Sequence, residues 1–240
     1  MYNHIRHSFS KSAHTYQENA FVQNLVASKL LKTLGLQRID SLIDIGCGSG
    51  NIAYAIDKIG IYVNDFIGID IADTMLASHP KALPCIQNIS LFCQDFETFS
   101  FQAYDVGIAA SSLQWASDLE SVLKRIAGSC AQVAFGIYTN KSLSSLHSFL
   151  GTASPLRDEK TLREILGKYF NGKVWLEYVK QDFTSRTDFL KHLKYLGLLG
   201  GGVLGYTEAK RFRENVPYAC AEYEILMFVG RPRITTECEK

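Results

Sequence analysis
The stretch Leu42-Ile43-Asp44-Ile45-Gly46-Cys47-Gly48-Ser49-Gly50-Asn51 sets how the rest of the chain is read. An apolar run holding one acid, Asp44, breaks at three glycines in alternate positions, and a helical pattern resumes at Asn51. That order describes a buried strand, a tight turn without side chains, and the start of a helix. Glycine adopts positive φ freely and lets backbone approach a ligand to van der Waals distance. The helix start adds unpaired N–H groups and the positive end of a dipole. The turn is therefore a cradle for a small molecule. It is not a dinucleotide loop, whose third glycine falls three residues after the second, nor a P-loop, since no G-x-x-x-x-G-K-[ST] occurs.

Working outward, 240 residues with 47% hydrophobic content and a net charge of +1 fit one ordinary globular domain with room for an appended cap. Strand-like runs fall at 41–45, 66–70, 90–94, 104–110 and 130–138, with helical patterns at 51–59, 72–79 and 118–127 between most of them. Ser10 to Leu34 reads as a helix, through Tyr16, Ala20, Val22, Val26, Leu30 and Leu34, with Gly35 suited to its C-cap. Alternating strands and helices predict a parallel sheet covered on both faces. In such a sheet the ligand lies beyond the carboxyl ends of the strands, near the switch in strand order. No run of 18 apolar residues and no signal-peptide pattern is found, so a cytoplasmic protein is expected. The six cysteines (47, 85, 93, 130, 220, 238) show no C-x-x-C and no metal-like grouping, as expected of reduced core thiols and no metal site.

The pattern from Asp44 through Gly46 and Gly48 to Gly50 resembles motif I of class I S-adenosylmethionine (SAM)-dependent methyltransferases, whose loop wraps the methionine end and ribose of SAM. Downstream residues add to it. Asp70 ends the second strand 20 residues after Gly50, where a carboxylate accepts from a ribose diol or caps the helix that follows. Ile71 and Met75 offer apolar surface to adenine. Asp95 ends the third strand, where it either accepts from the adenine amino group or makes a plain turn, and Phe96 lies beside the ring. The fourth strand ends in Ser111-Ser112-Leu113-Gln114-Trp115. The cofactor residues implied are Asp44, Gly46, Gly48, Gly50, Asp70, Ile71, Met75, Asp95, Phe96 and Ser111.

Within that superfamily, Ser112-Leu113-Gln114-Trp115 resembles the malonyl-acyl carrier protein O-methyltransferases of biotin synthesis. Phe9-Ser10-Lys11-Ser12-Ala13-His14-Thr15-Tyr16 is similar to their F-x-x-A-x-x-Y helix, and Phe189 to Gly197 to their L-x-x-L-K-x-x-G helix. The closing strand Ala221 to Pro232 also fits. Gly-rich Leu198 to Gly205 departs from the more polar residues of relatives, and His147 stands where they carry a basic residue. The resemblance implies a Rossmann-like, seven-stranded, mostly parallel sheet with a helical cap. The parts would be a cap helix at 1–40, a SAM-binding core at 41–140, and cap insertions plus the last two strands at 141–240.

The implied reaction is O-methylation of the free carboxylate of malonyl-acyl carrier protein, leaving S-adenosyl-L-homocysteine. A carboxylate is ionised at neutral pH and needs no general base. Alignment and exclusion of water remain the protein's task. Tyr16 is the first candidate to orient the acceptor, with His147, His192 and Lys141 behind it. Residues 180–213 hold seven basic and three acidic side chains, a face suited to an acidic carrier protein. A pI near 7.6 argues against nucleic acid, and a monomer is expected. The alternatives are a methyltransferase for another small acid or metabolite, and a SAM-binding assembly factor without turnover.

Overall fold
The computed structural model describes residues 21–196, 212 and 214–233. Its seven strands form one sheet in the order β3-β2-β1-β4-β5-β7-β6. In chain order these are β1 (Arg38–Ile45), β2 (Tyr62–Asp70), β3 (Ile86–Cys93), β4 (Tyr104–Ala110), β5 (Cys130–Tyr138), β6 (Phe170–Asp182) and β7 (Cys220–Pro232). The described helices are α1 (Phe21–Leu34), α2 (Asn51–Ile59), α3 (Asp73–Ser78), α4 (Leu119–Ala127), α5 (Ser144–Leu150), α6 (Glu159–Tyr169) and α7 (Arg186–Leu196). The sheet is the mostly parallel, Rossmann-like α/β architecture that the motifs imply. All five expected strand runs are present, and β1 to β3 begin three or four residues earlier than their apolar cores.

β1 holds the centre because Leu42, Ile43, Asp44 and Ile45 are buried on both faces. It pairs with β2 through Ile43↔Ile67 and with β4 through Ile43↔Gly107. On one face α1 and α2 pack Val22, Val26, Leu30, Ile52 and Ile56 around Phe66, Val106 and Ala134. Gly136 of β5 admits α1 there, since a Cβ would overlap Val26. On the other face α4 and α6 bring Val122, Leu123, Ile126, Leu162 and Leu166 against Ile43, Phe135 and Phe228. Asp118 and Asp158 cap these two helices by accepting from Ser121 N at 3.0 Å and Thr161 N at 2.8 Å.

β7 is the one strand that runs against its neighbours, pairing antiparallel with β5 (Phe135↔Phe228) and with β6 (Tyr178↔Glu224). β6 therefore ends, and β7 begins, at the carboxyl edge of the parallel strands. The order of strands reverses between β1 and β4, which puts the turn at residues 46–50 and the start of α7 on the same edge. Tyr16, residues 1–20 of the expected first helix, the Gly-rich 198–205 run and the basic positions 210, 211 and 213 lie outside the described residues.

Candidate active site
The turn after β1 is built on the end of β2. The N–H groups of Gly46 and Cys47 both donate to Ile69 O, at 2.8 and 2.9 Å, and Gly48 N donates to Asp70 Oδ2 at 2.9 Å. Gly46 has φ +74°, and a Cβ there would overlap the Ser112 side chain, whose hydroxyl in turn donates to Ile45 O. Two loops from neighbouring strands thus interlock through a glycine. Gly50, at φ +96°, begins α2, and its Cβ would come within 2.6 Å of Pro80 Cδ.

Between these loops lies a cleft, partly open to solvent. Asp44, Gly46, Gly48, Asp70, Ile71, Met75, Asp95, Phe96 and Ser111 line it, whereas Gly50 stands behind the turn. Cys47, Ser49, Asn51, Ile52, Ala110, Ser112 and Trp115 complete the lining. Ser49 and Ile52 carry no separate signal in the sequence beyond their place in or next to the glycine turn. Trp115 can be found from its position past the end of a buried strand.

The lining is acidic, with three carboxylates and no lysine, arginine or histidine among its described residues. Asp44 is 1% exposed, and its Oδ2 has no hydrogen-bond partner among the described residues. Burial, and then the neighbouring Asp70, push its carboxyl well above the usual carboxylate range. Asp70 is raised by burial too, but the amides of Ala72 (2.8 Å to Oδ1) and Gly48 favour its ionised form. Its carboxylate thus caps the start of the next segment and faces the cleft at once. Asp95 accepts from Glu97 N at 2.8 Å in a tight turn. Ser49 Oγ and Ser111 Oγ are buried without partners among the described residues. Ser111 has φ +72°, unusual for a residue with a side chain, and is held there by its N–H on Gly136 O (2.9 Å) and by Gln114 Nε2 on its carbonyl (2.8 Å). A ligand that brings positive charge, hydroxyl or amino groups and a flat apolar ring meets all of these needs.

The acceptor candidates lie elsewhere. His147 sits near the end of α5, its Nδ1 3.4 Å from Thr152 Oγ1, and burial lowers its pKa. His192 is buried in α7 against Tyr223. Neither lines the cleft. Lys141 pairs with the buried Glu224 at 3.4 Å. Of the cysteines, the five described are unpaired; Cys47 and Cys130 are buried, and Cys93 is exposed. Among the described residues no cluster of His, Cys, Asp or Glu is placed to hold a metal.

Residues 43–132 match a family model described as a methyltransferase domain. Those residues form a methyltransferase domain of the SAM-dependent kind. Its curated relatives include malonyl-[acyl-carrier protein] O-methyltransferases. The one from Haemophilus influenzae is 28% identical over 207 residues, covering 81% of this chain and 76% of that protein. One from Bacteroides helcogenes is 24% identical, covering 91% and 88%. Among solved structures, the YcgJ protein of Bacillus subtilis superposes with a TM-score of 0.60 at 12% identity, covering 86% of this chain and 98% of that one. The magnesium protoporphyrin IX methyltransferase of Synechocystis, solved with bound SAM, gives 0.52 at 16% identity, covering 91% and 84%. The methyltransferase cofactor is SAM, and the cleft fits it in kind. The cofactor's ammonium and sulfonium answer the acidic lining, and its ribose and adenine answer the orphan hydroxyls and the Ile71, Met75 and Phe96 surface. No described helix is long and apolar enough to cross a membrane.

Proposed function
We propose that this methyltransferase esterifies the free carboxylate of malonyl-acyl carrier protein, in the cytoplasm. The observation that carries the reading is a described cleft without an imidazole or amine, whose three carboxylates the reading assigns to the cofactor. Asp70 and Asp95 are engaged by backbone amides, and the Cys47 thiol is pushed well above its usual range by burial and by Asp44 and Asp70. An alcohol or amine acceptor would have to lose a proton to a general base. A carboxylate arrives already ionised. The likeness to malonyl-[acyl-carrier protein] O-methyltransferases, running over 81% of the chain for one relative, favours this carboxylate over others.

When bound, SAM supplies an activated methyl group on a good leaving group. The chain's residues supply position. Asp44, Asp70 and the 46–50 amides would hold the methionine and ribose parts, and Ile71, Met75 and Phe96 the adenine, with Asp95 at its amino group. Trp115 and Ser111 would then border the end where the acceptor enters. Orientation alone is worth up to ~7–11 kcal/mol in well-aligned systems. Tyr16, from outside the described residues, and His147 are proposed to orient the acceptor carboxylate as weak donors, since a tight ion pair would blunt its nucleophilicity. Lys180, Arg186 and Lys191 form the described part of the basic face that would meet an acidic carrier protein.

The test is transfer of labelled methyl from SAM to malonyl-acyl carrier protein by the purified protein. An alkali-labile product, reduced in the Tyr16→Phe and Asp70→Ala variants, supports the reading. SAM binding without transfer to any malonyl thioester refutes it and returns attention to other acids or to a non-catalytic role.

A further inference from the structure
A further unsatisfied polar atom, at His192, stands on the carboxyl edge against β7, two strands beyond β4. His192 of α7 is 1% exposed, and its Nε2 is hydrogen-bonded with the Tyr223 hydroxyl of β7. The Tyr223 ring meets Tyr138 edge-on, centroids 5.6 Å apart, and Phe183 packs on the imidazole at 4.9 Å. Tyr138 is the last residue of β5, two beyond Gly136, the carbonyl that holds Ser111 in the cleft wall. This group of rings therefore stands on the same carboxyl edge of the sheet as the cleft.

The Nδ1 of His192 is buried and has no partner among the described residues. Assigning the Tyr223 hydroxyl as the donor to Nε2, its one described partner, leaves the imidazole proton on Nδ1. Burial lowers the imidazole pKa to about 4, so the ring is neutral at physiological pH. A neutral, buried N–H without an acceptor opposes folding unless something completes it. A carboxylate is a poor candidate, since no described lysine or arginine bonds either member of the pair to offset its desolvation. An uncharged carbonyl oxygen suits it.

We propose that His192 is a substrate-binding residue whose Nδ1–H donates to an uncharged carbonyl of the acceptor. On the malonyl reading above, on which this rests, that carbonyl belongs to the thioester, and Tyr223 fixes the imidazole that reaches it. The methyl-accepting carboxylate is then held apart from the group that recognises the acyl chain.

The experiment uses the two amides that each replace one ring nitrogen. His192→Asn puts a donor near Nδ1 and gives up the Tyr223 bond; His192→Gln keeps a partner for Tyr223 and gives up the Nδ1 donor. Both are measured as full-length protein for KM and kcat with malonyl-acyl carrier protein, for SAM affinity, and for melting temperature. The expected result is a KM within about threefold of the parent for His192→Asn and about tenfold higher for His192→Gln, with SAM affinity unchanged in both. A purely structural histidine gives the reverse order, because its one bond is to Tyr223, and that result overturns the proposal. Equal effects, or none, overturn it as well. If the parent protein does not methylate malonyl-acyl carrier protein, the acceptor reading itself fails. If the parent is active and the order is wrong, only the role of His192 fails.

Discussion

Asp44 is a site where stability and cofactor binding oppose each other, and Asp44→Asn separates the two. In the folded chain this carboxyl is buried, one oxygen is unpartnered, and Asp70 is its charged neighbour. Its pKa is raised above the ordinary 3.8, so at intermediate pH the folded protein keeps a proton that the unfolded chain has released. Stability contributed at this position is therefore lost as pH rises from about 3.8 towards the folded pKa, and stays lost above it. An amide of the same shape removes the charge. An unsatisfied buried ionisable group costs about 2–3 kcal/mol. At 2–4 °C per kcal/mol for a chain of this length, the Asp44→Asn variant should melt roughly 4–12 °C higher than the parent at pH 8 without ligand. SAM binding should move the other way. Loss of a charged partner for the cofactor's cationic end, worth about 1.5–3 kcal/mol, weakens affinity about 10- to 150-fold. Thermal melts at pH 8, with and without saturating SAM, read both effects, and calorimetry gives the affinity directly. Parent affinity should also tighten with rising pH, as Asp44 ionises, while the variant stays flat. A variant that melts no higher than the parent, with an equal SAM-induced shift, refutes the reasoning.

Other perturbations follow from the same geometry. Gly46→Ala meets both a positive φ and the Ser112 side chain, so a loss of about 2 kcal/mol or more and a collapse of SAM affinity are expected in denaturant titration and calorimetry. Ser111→Gly relieves a positive φ of 72°; stability should rise by ~1 kcal/mol while loss of the orphan hydroxyl weakens SAM a few-fold. Arg125 donates to the carbonyls of Phe96, Glu97 and Phe99 and lies over Phe101; Arg125→Ala should cost about 2–4 kcal/mol and loosen the Asp95–Phe96 wall, read as a lower melting temperature and weaker SAM binding. His192, neutral in the fold with a pKa of about 4 against 6.5 unfolded, makes the unfolded chain the better proton binder between those values. Stability should fall by roughly 3 kcal/mol as pH drops across that window, and His192→Gln should remove the slope.

The parts of this fold legible in the sequence are those where one local rule acts alone. β1 can be read because both its faces are covered, leaving an unbroken apolar run, and the turn after it because three glycines leave no other account. β6 does not stand out as a strand in the sequence. It is an edge strand with a polar start, Asn171-Gly172-Lys173, and an exposed Tyr178, so no alternation is visible; its pairing with β7 makes it a strand. The early ends of β1 to β3 are hidden for the same reason, since Tyr62 is 61% exposed. Ser111 can be placed at the end of β4, but nothing in the sequence announces its left-handed backbone. From sequence alone His192 is a solvated or ligand-orienting side chain on an amphipathic helix. Only the antiparallel β7, which brings Tyr223 beneath it, makes it a buried neutral group.

The two edges of the sheet treat polar residues differently, and the contrast bears on where chemistry can occur. At the amino edge several polar side chains bond one another. Asp105 accepts from Ser41 N and Oγ at 2.8 Å, Asn64 bridges Arg38 and Asp40, and Asn88 donates to Asp65. At the carboxyl edge Asp44, Ser49, Ser111 and His192 each keep a buried atom with no described partner. Burial without a partner opposes folding, so four such groups on one edge are not what stability alone would select. They agree instead with a surface whose hydrogen bonds are completed by what binds there. The four also divide by charge. Acids gather around the glycine turn, suiting a cationic cofactor, whereas the His192–Tyr223 pair is neutral and suits an uncharged oxygen. On the proposals above, cofactor and acceptor would be recognised by different chemistry on different strands. A substitution on β7 or α7 would then alter the choice of acceptor while leaving SAM binding to β1, β2, β3 and β4.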